Sequence, residues 1–352
     1  MNARHEAENW QAPGPVRTVL NKVVHYAEIL RAWGLRRSVT LDYAPEDVSI
    51  EVTNNCNFRC EFCPQSDPRH HQLVPRTILA PADAEKLLVK LRRGGVRTNV
   101  MHWTLDGEPF MNKQFHLICG LGHKYGFNNQ IFATNGFFVS AERLRALPVS
   151  PNAKYTLCID YCADPEFFES CRGTKGSWER VLENIRSVVA DPALRHIHLQ
   201  LTDISSYKVS DPAAQAEAQA ALRRLLPQPE VRIRSRVFHN MTGHVVQLQK
   251  KRSKRYHLCP YPWMSLVVSS NGDVVACCRD LQHKTVLGNL FRQELPEIWN
   301  GDAARALRQA LIDQEPARMD ACRNCDLPWD EAKFDVRHLT RTALRRLQIL
   351  SK

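Results

Sequence analysis

Three cysteines fall within eight residues: Cys56, Cys60 and Cys63, in the stretch Cys-Asn-Phe-Arg-Cys-Glu-Phe-Cys-Pro. Thiols at this spacing can wrap one inorganic centre. A cubane [4Fe–4S] cluster has four irons, each calling for a thiolate, so a local trio leaves one iron without a protein ligand. A catalytic metal site keeps such an open position, and a structural one closes it. A zinc ion is the rival, with a fourth ligand drawn from His70 or His71. Simple burial of small thiols is a third reading.

A second group lies far downstream. Cys259 is followed by twelve residues, Gly272, four residues and Cys277, and Cys322 and Cys325 form a Cys-x2-Cys pair. Four thiolates complete a cluster, which suits a structural or electron-conducting centre. Tetrahedral zinc uses the same donors. Cys278, beside Cys277, is an alternative ligand, but the Gly-x4 count picks Cys277 and Cys278 then reads as a small buried residue. Cys119 reads as helix core, and Cys158, Cys162 and Cys171 as wall or core near the first group.

The elements that position these residues alternate. Strands are expected at Asp47–Thr53, Asn99–Leu105, Gln130–Thr134, Tyr155–Ile159, His196–Thr202 and Glu230–Val237. Helices are expected between them at Pro81–Arg93, Lys113–Tyr125, Ala141–Ala146, Ser177–Val189 (with Ser177 as its cap) and Ala213–Leu226. Strand–helix alternation argues for parallel βαβ units and an α/β fold. Six units fall short of an eight-fold barrel, so an open, partial (β/α)6 TIM-like barrel is expected. In such barrels the chemistry sits on loops at the carboxyl ends of strands. The first cysteine group directly follows the first strand.

The motif Cys-x3-Cys-x2-Cys, with Phe62 before its last cysteine, resembles the signature of the radical S-adenosylmethionine (SAM) enzymes. The family's fold is a partial (β/α)6 barrel. The resemblance implies that Cys56, Cys60 and Cys63 hold a [4Fe–4S] cluster whose open iron is chelated by the methionine end of SAM. Reductive cleavage then gives a 5′-deoxyadenosyl radical that abstracts hydrogen from substrate, with the cofactor carrying the difficult chemistry. Further matches follow the expected strand ends. Asp106-Gly107-Glu108-Pro109 is similar to the family's Gly-Gly-Glu-Pro motif, which receives the SAM amino group; Asp106 stands where Gly is usual. Thr134-Asn135-Gly136 resembles a stretch lining the SAM pocket. Asp160 is placed like the Asp of the family's Ser-Ile-Asp segment, with Cys158 in place of Ser. Arg172-Gly173 resembles an Arg-Gly pair whose Arg faces the SAM carboxylate, and Phe62 would pack on the adenine. The likeness spans roughly Asp47 to Val237.

The second group resembles the start of the SPASM/twitch extensions that bind auxiliary [4Fe–4S] clusters. Gly288-Asn289-Leu290 and Ile298-Trp299-Asn300 resemble their connecting segment. The full SPASM pattern has seven cysteines, and this chain lacks the run after Cys325. One auxiliary cluster held by Cys259, Cys277, Cys322 and Cys325 is the implication. The expected organisation is an N-terminal helical extension (1–45, helix Val16–Trp33), a radical SAM core (46–240), an auxiliary-cluster domain (241–335) with a hairpin turning at Asn271-Gly272, and a basic C-terminal helix (336–352).

The 352 residues carry a net charge of +11, concentrated in Lys250–Arg255 and Arg337–Lys352. These runs read as solvated basic surface, since no nucleic-acid module accompanies them. No apolar stretch approaches the length of a membrane span. The start, Met1 to Val16, has no apolar h-region of an export signal. A cytoplasmic location is expected, where disulfides are rare and clustered cysteines bind metal or catalyse. A flavodoxin- or ferredoxin-type reductant is the implied electron source.

For the reaction, the resemblance leaves two enzyme classes. One acts on a small molecule, a sugar, aminocyclitol or nucleoside-like compound, by dehydrogenation or decarboxylation. The other modifies a ribosomally made peptide. Peptide modifiers usually carry an N-terminal leader-binding domain, and only about 45 residues precede the first strand, against about 50–200 for a domain, which favours the small molecule. A metal-bearing binding scaffold is the non-enzymatic reading. Asp203, Tyr207 and Asn240 follow the last two expected strands and are the candidate substrate-contacting or basic residues. For Asp203 the plainer reading is a turn cap.

Overall fold

The computed structural model describes residues 15–236, 238–248 and 255–329. The helix expected at 336–352 and most of the basic run at 250–255 lie outside these residues. The strands are β1 (Asp47–Ile50), β2 (Val100–His102), β3 (Asn129–Thr134), β4 (Lys154–Tyr161), β5 (Ile197–Asp203), β6 (Arg232–Ser235), β7 (Ser265–Val268), β8 (Asp273–Val275) and β9 (Val286–Asn289). They form one sheet in the order β6-β5-β4-β3-β2-β1-β7-β8-β9. From β1 to β6 every neighbour pair is parallel. Helical crossovers return the chain each time, as a parallel ladder requires. This is the open (β/α)6 arrangement expected from the alternation.

The core follows from periodicity. On β4, Tyr155, Leu157, Ile159 and Tyr161 are all fully buried, while the residues between them are partly exposed. The helix Pro81–Arg93 starts on a proline that needs no N–H partner and buries Ala84, Leu87, Leu88 and Leu91 on one face. The helix Ser177–Ala190 buries Val181, Leu182, Ile185 and Val188. Its Asn184 Nδ2 donates to the carbonyls of Gly136 (2.9 Å) and Phe137 (3.0 Å), so the helix also fixes the loop after β3.

Some local expectations change. Ser177 is the first residue of its helix rather than its cap; Gly176, at φ +69°, holds the cap position, and Ser177 Oγ donates to Thr174 O at 2.6 Å. A helix at Pro165–Arg172, capped by Asp164 through Phe167 N, was not read from the sequence. The expected β1 continued to Thr53, but its regular ladder stops at Ile50. There the Glu51 side chain turns inward to the Asp106 and Ser270 amides.

The downstream segment does not stand apart. β7 pairs in parallel with β1 from Asp47↔Ser265 to Ile50↔Val268, and the β7–β8 hairpin turns at Asn271-Gly272 as expected. Arg308, on the helix Asp302–Ile312, is almost wholly buried. It donates to Pro262 O (2.9 Å), Val39 O (2.8 Å) and Trp299 O (2.9 Å), tying three segments together. Such a guanidinium is tolerated because its fork of donors is satisfied. No helix among the described residues is long and apolar enough to cross a membrane.

Candidate functional site

The loop carrying Cys56, Cys60 and Cys63 is held at the carboxyl end of β1 by two close backbone approaches. Gly107 sits at φ +74°, and a Cβ there would collide with the Thr53 carbonyl and the Asn54 backbone. Gly173 sits at φ +65°, and a Cβ would lie 2.7 Å from Arg59 O. Only glycine allows both the conformation and the approach. Beside Gly173, Arg59 N donates to Arg172 O (3.2 Å) and Glu61 N to Cys171 O (2.9 Å), so the loop is laced to the Pro165–Arg172 helix.

The three thiols sense one another electrostatically. Burial pushes the Cys56 thiol up to about 12, and burial likewise raises Cys60 and, more strongly, Cys63. Thiols in such a site remain protonated unless a metal takes the proton's place.

Residues from successive strand ends converge on this loop. Glu108 is buried; Oε1 accepts from Thr134 Oγ1 (2.7 Å) and Phe110 N (3.1 Å), and Oε2 from Asn135 N (2.6 Å). It locks the β2 and β3 ends together, and Pro109 begins the 3-10 turn that follows. Asn135 Nδ2 donates to Asn57 Oδ1 at 2.8 Å and lies 3.9 Å from Cys56 Sγ. Asp160 Oδ2 accepts from Arg172 Nη1 at 3.3 Å and from Arg236 Nη1. Arg172 is buried with no hydrogen-bond partner on Nε, and its charge acts on Cys56 and Cys60. Phe62 packs between Tyr207 (5.5 Å between centroids) and Phe238 (5.0 Å), with the Arg172 and Arg236 guanidinium groups 5.7 and 5.2 Å from its centroid.

Asp106, the departure from the usual Gly, has a defined place. It is buried, with Oδ2 2.6 Å from His70 Nε2, and its N–H donates to Glu51 Oε1 (3.1 Å). Glu51 Oε2 accepts from Ser270 N (3.0 Å) and Oγ (2.6 Å). Burial first, then the Asp106 charge, raises the Glu51 carboxyl to about 7. His70 is therefore taken by Asp106. His71 contacts Val74 O and Gln65 Oε1, each at 3.1 Å. Both ring nitrogens of His71 thus have protein partners, and His70 Nδ1 is buried without one.

Of the candidate catalytic residues, only Tyr207 lies against the first site. Asp203 is buried and caps a turn, Oδ1 accepting from Ser205 N (3.0 Å) and Oγ (2.7 Å). Asn240 is buried beside the second group, its Nδ2 donating to Asn324 O at 2.7 Å. Arg236 and Glu51 were not singled out from the sequence, and His70 and Asp106 were named there without being paired. The unusual Asp106 was the one signal for its contacts with His70 and Glu51.

Cys259, Cys277, Cys322 and Cys325 line one cavity, walled by Leu307, Leu311 and Leu327 and by Arg279. Burial raises the Cys259 thiol to about 12 and shifts the other three upward. Cys278, read as buried, is exposed. Cys119, Cys162 and Cys171 are buried as core, and Cys158 is half-buried. A zinc ion bound at about 2.3 Å requires sulfurs about 3.8 Å apart. Among the described residues no three His, Cys, Asp or Glu side chains gather as ligands of a single ion. Four thiols lining one cavity supply the ligand count of a complete cubane.

Two family models match the chain: the radical SAM superfamily over residues 50–190 and an iron–sulfur cluster-binding (SPASM) domain over residues 259–326. The chain carries a radical SAM domain and a SPASM domain. This radical SAM chain is 22% identical over 280 residues to the S-adenosyl-L-methionine-dependent 2-deoxy-scyllo-inosamine dehydrogenase of Niallia circulans, covering 79% of this chain and 92% of that one. The crystal structure of BtrN in complex with AdoMet and 2-DOIA superposes with a TM-score of 0.55 at 21% identity, covering 81% and 94% of the two chains. Streptococcus suis SuiB bound to precursor peptide SuiA gives 0.51 at 16% identity, covering 90% and 77%. The likeness of these structures is one of fold. The radical SAM domain binds a [4Fe–4S] cluster and SAM, and the SPASM domain binds auxiliary iron–sulfur. The protein is a radical SAM enzyme.

Proposed function

We propose that this enzyme oxidises a hydroxyl group of a small polyhydroxylated substrate, an aminocyclitol or a sugar- or nucleoside-like compound. The reading is carried by one observation: a three-thiol loop faced by polar strand-end residues and a four-thiol cavity are built on the same sheet. Cys56, Cys60 and Cys63 hold the SAM-binding cluster, and Cys259, Cys277, Cys322 and Cys325 hold one auxiliary cluster. Arg172, with a buried Nε lacking a protein partner, suits the SAM carboxylate. Glu108 and Asn135 order the loops around the SAM amino group. Phe62, Tyr207 and Phe238 form an aromatic wall suited to an adenine face and to exclusion of water.

With SAM and both clusters bound, Cys56, Cys60 and Cys63 would hold the centre that supplies the hydrogen-abstracting chemistry, and Cys259, Cys277, Cys322 and Cys325 would hold the centre able to take up the electron released as a carbinol becomes a ketone. The chain's task is to hold the C–H bond near the 5′ carbon, so orientation counts most. The likeness to the inosamine dehydrogenase over most of both chains supports this substrate class. A flavodoxin- or ferredoxin-type protein supplies the initiating electron, and the enzyme works in the cytoplasm, where its thiols stay reduced. The fold shared with SuiB, described as bound to a precursor peptide, favours peptide modification as the second reading.

The test is deuterium transfer. Anaerobically reconstituted enzyme should contain about eight irons. Aminocyclitols and sugars deuterated at carbinol carbons should pass deuterium into 5′-deoxyadenosine and yield ketones. Transfer only from deuterated peptides would overturn the proposal in favour of the second reading.

A further inference from the structure

The four-thiol cavity has a single charged residue in its described lining, Arg279. It is 3% exposed. Its Nη1 donates to Asp326 Oδ1 at 3.2 Å, and both side chains are buried. Asp326 does not line the cavity, so the cationic partner faces the thiols and the carboxylate stands behind it. Arg279 Nε is buried with no hydrogen-bond partner. Its guanidinium is thus part of the wall that encloses the four thiols.

The carboxylates near the cavity are opposite in sign. Asp326 pairs with Arg279, and the oxygens of Asp280 already accept from Lys284 N (2.9 Å) and Thr285 N (3.0 Å). A buried ion pair gives weak support to stability, so stability explains Arg279 poorly. Its position beside the thiols explains it better. Four thiolates around a [4Fe–4S] core make an anionic centre that gains a further negative charge on reduction. Net charge and hydrogen bonds to sulfur set the potential of such centres, and charges act strongly where water is excluded.

We propose that Arg279 raises the reduction potential of the auxiliary cluster and thereby suits it to accept an electron, with Asp326 limiting the size of the effect. The inference rests on the reading above that a cluster occupies this cavity.

The experiment uses the full chain reconstituted anaerobically, with iron counted and the auxiliary midpoint potential measured by EPR-monitored titration. Substituting Cys56, Cys60 and Cys63 by Ala in a background variant isolates that signal. Arg279→Gln should shift the redox equilibrium at least tenfold toward the oxidised form, 59 mV for one electron. Asp326→Asn should shift it the other way, and Arg279→Lys should restore most of the wild-type value. Mere loosening of the site would move both neutralising variants in one direction, which would overturn the proposal. If Arg279→Gln fails to retain iron, Asp326→Asn decides, and an unchanged potential there overturns it. Absence of iron from the wild-type cavity would instead refute the cluster reading itself.

Discussion

The two cysteine groups share one sheet and differ in almost everything around them. The N-terminal trio is faced by Glu108, Asn135, Asp160, Arg172 and Arg236, with Arg172 Nε left without a protein partner. The downstream four are enclosed by leucines and prolines with one guanidinium. A centre that must recognise an exchangeable zwitterion needs polar groups to spare. A centre complete in its own ligands needs insulation and a tuned charge. The number of thiols and the polarity of the walls thus point to the same division of labour.

The largest effect that could break this contrast is Cys60→Ala. Iron should fall from about eight to about four per chain, and 5′-deoxyadenosine release should fall to background. Continued SAM cleavage with four irons lost would show that the trio is not the reactive site. Next, Cys322→Ala should keep the N-terminal cluster and some uncoupled SAM cleavage while product formation stops. Full turnover by that variant would remove the auxiliary group from the reaction.

The smallest effect concerns Glu51, which joins the two regions by accepting from Asp106 on one side and Ser270 on the other. Its carboxyl, raised from 4.5 to about 7 by burial and by Asp106, binds its proton more tightly folded than unfolded. Stability should therefore decline as pH rises through that interval, by on the order of 3 kcal/mol at most. Glu51→Gln should flatten the decline in urea unfolding of reconstituted protein compared at pH 5 and pH 8. An equally steep decline in the variant would assign the titration to other groups.

Much of this was legible because it is local. The cysteine spacings, Asp106-Gly107-Glu108-Pro109 and Thr134-Asn135-Gly136 are contiguous, and strands such as β4 declare themselves by alternation. The helix Pro81–Arg93 matched its expected ends because proline opens it and Gly94 follows it. What escaped depends on residues far apart. Asp106 meets His70 thirty-six positions away, Arg236 meets Asp160 seventy-six away, and Arg308 reaches back to Val39. No spacing rule encodes such contacts, since they exist only once the sheet has assembled. Asp203 shows the converse: its position after a strand suggested chemistry, yet its oxygen is used by its own turn.

The pairing of β1 with β7 joins Asp47 to Ser265, a separation of 265 − 47 = 218 residues. Closing so long a loop is entropically demanding and slows assembly. A growing chain must extend through Val268 before its first strand gains this second neighbour. A polypeptide cut short before that point would leave the strand with an open edge, the kind of surface that recruits foreign strands. Premature termination in this protein is therefore an aggregation hazard as well as a loss of the auxiliary centre.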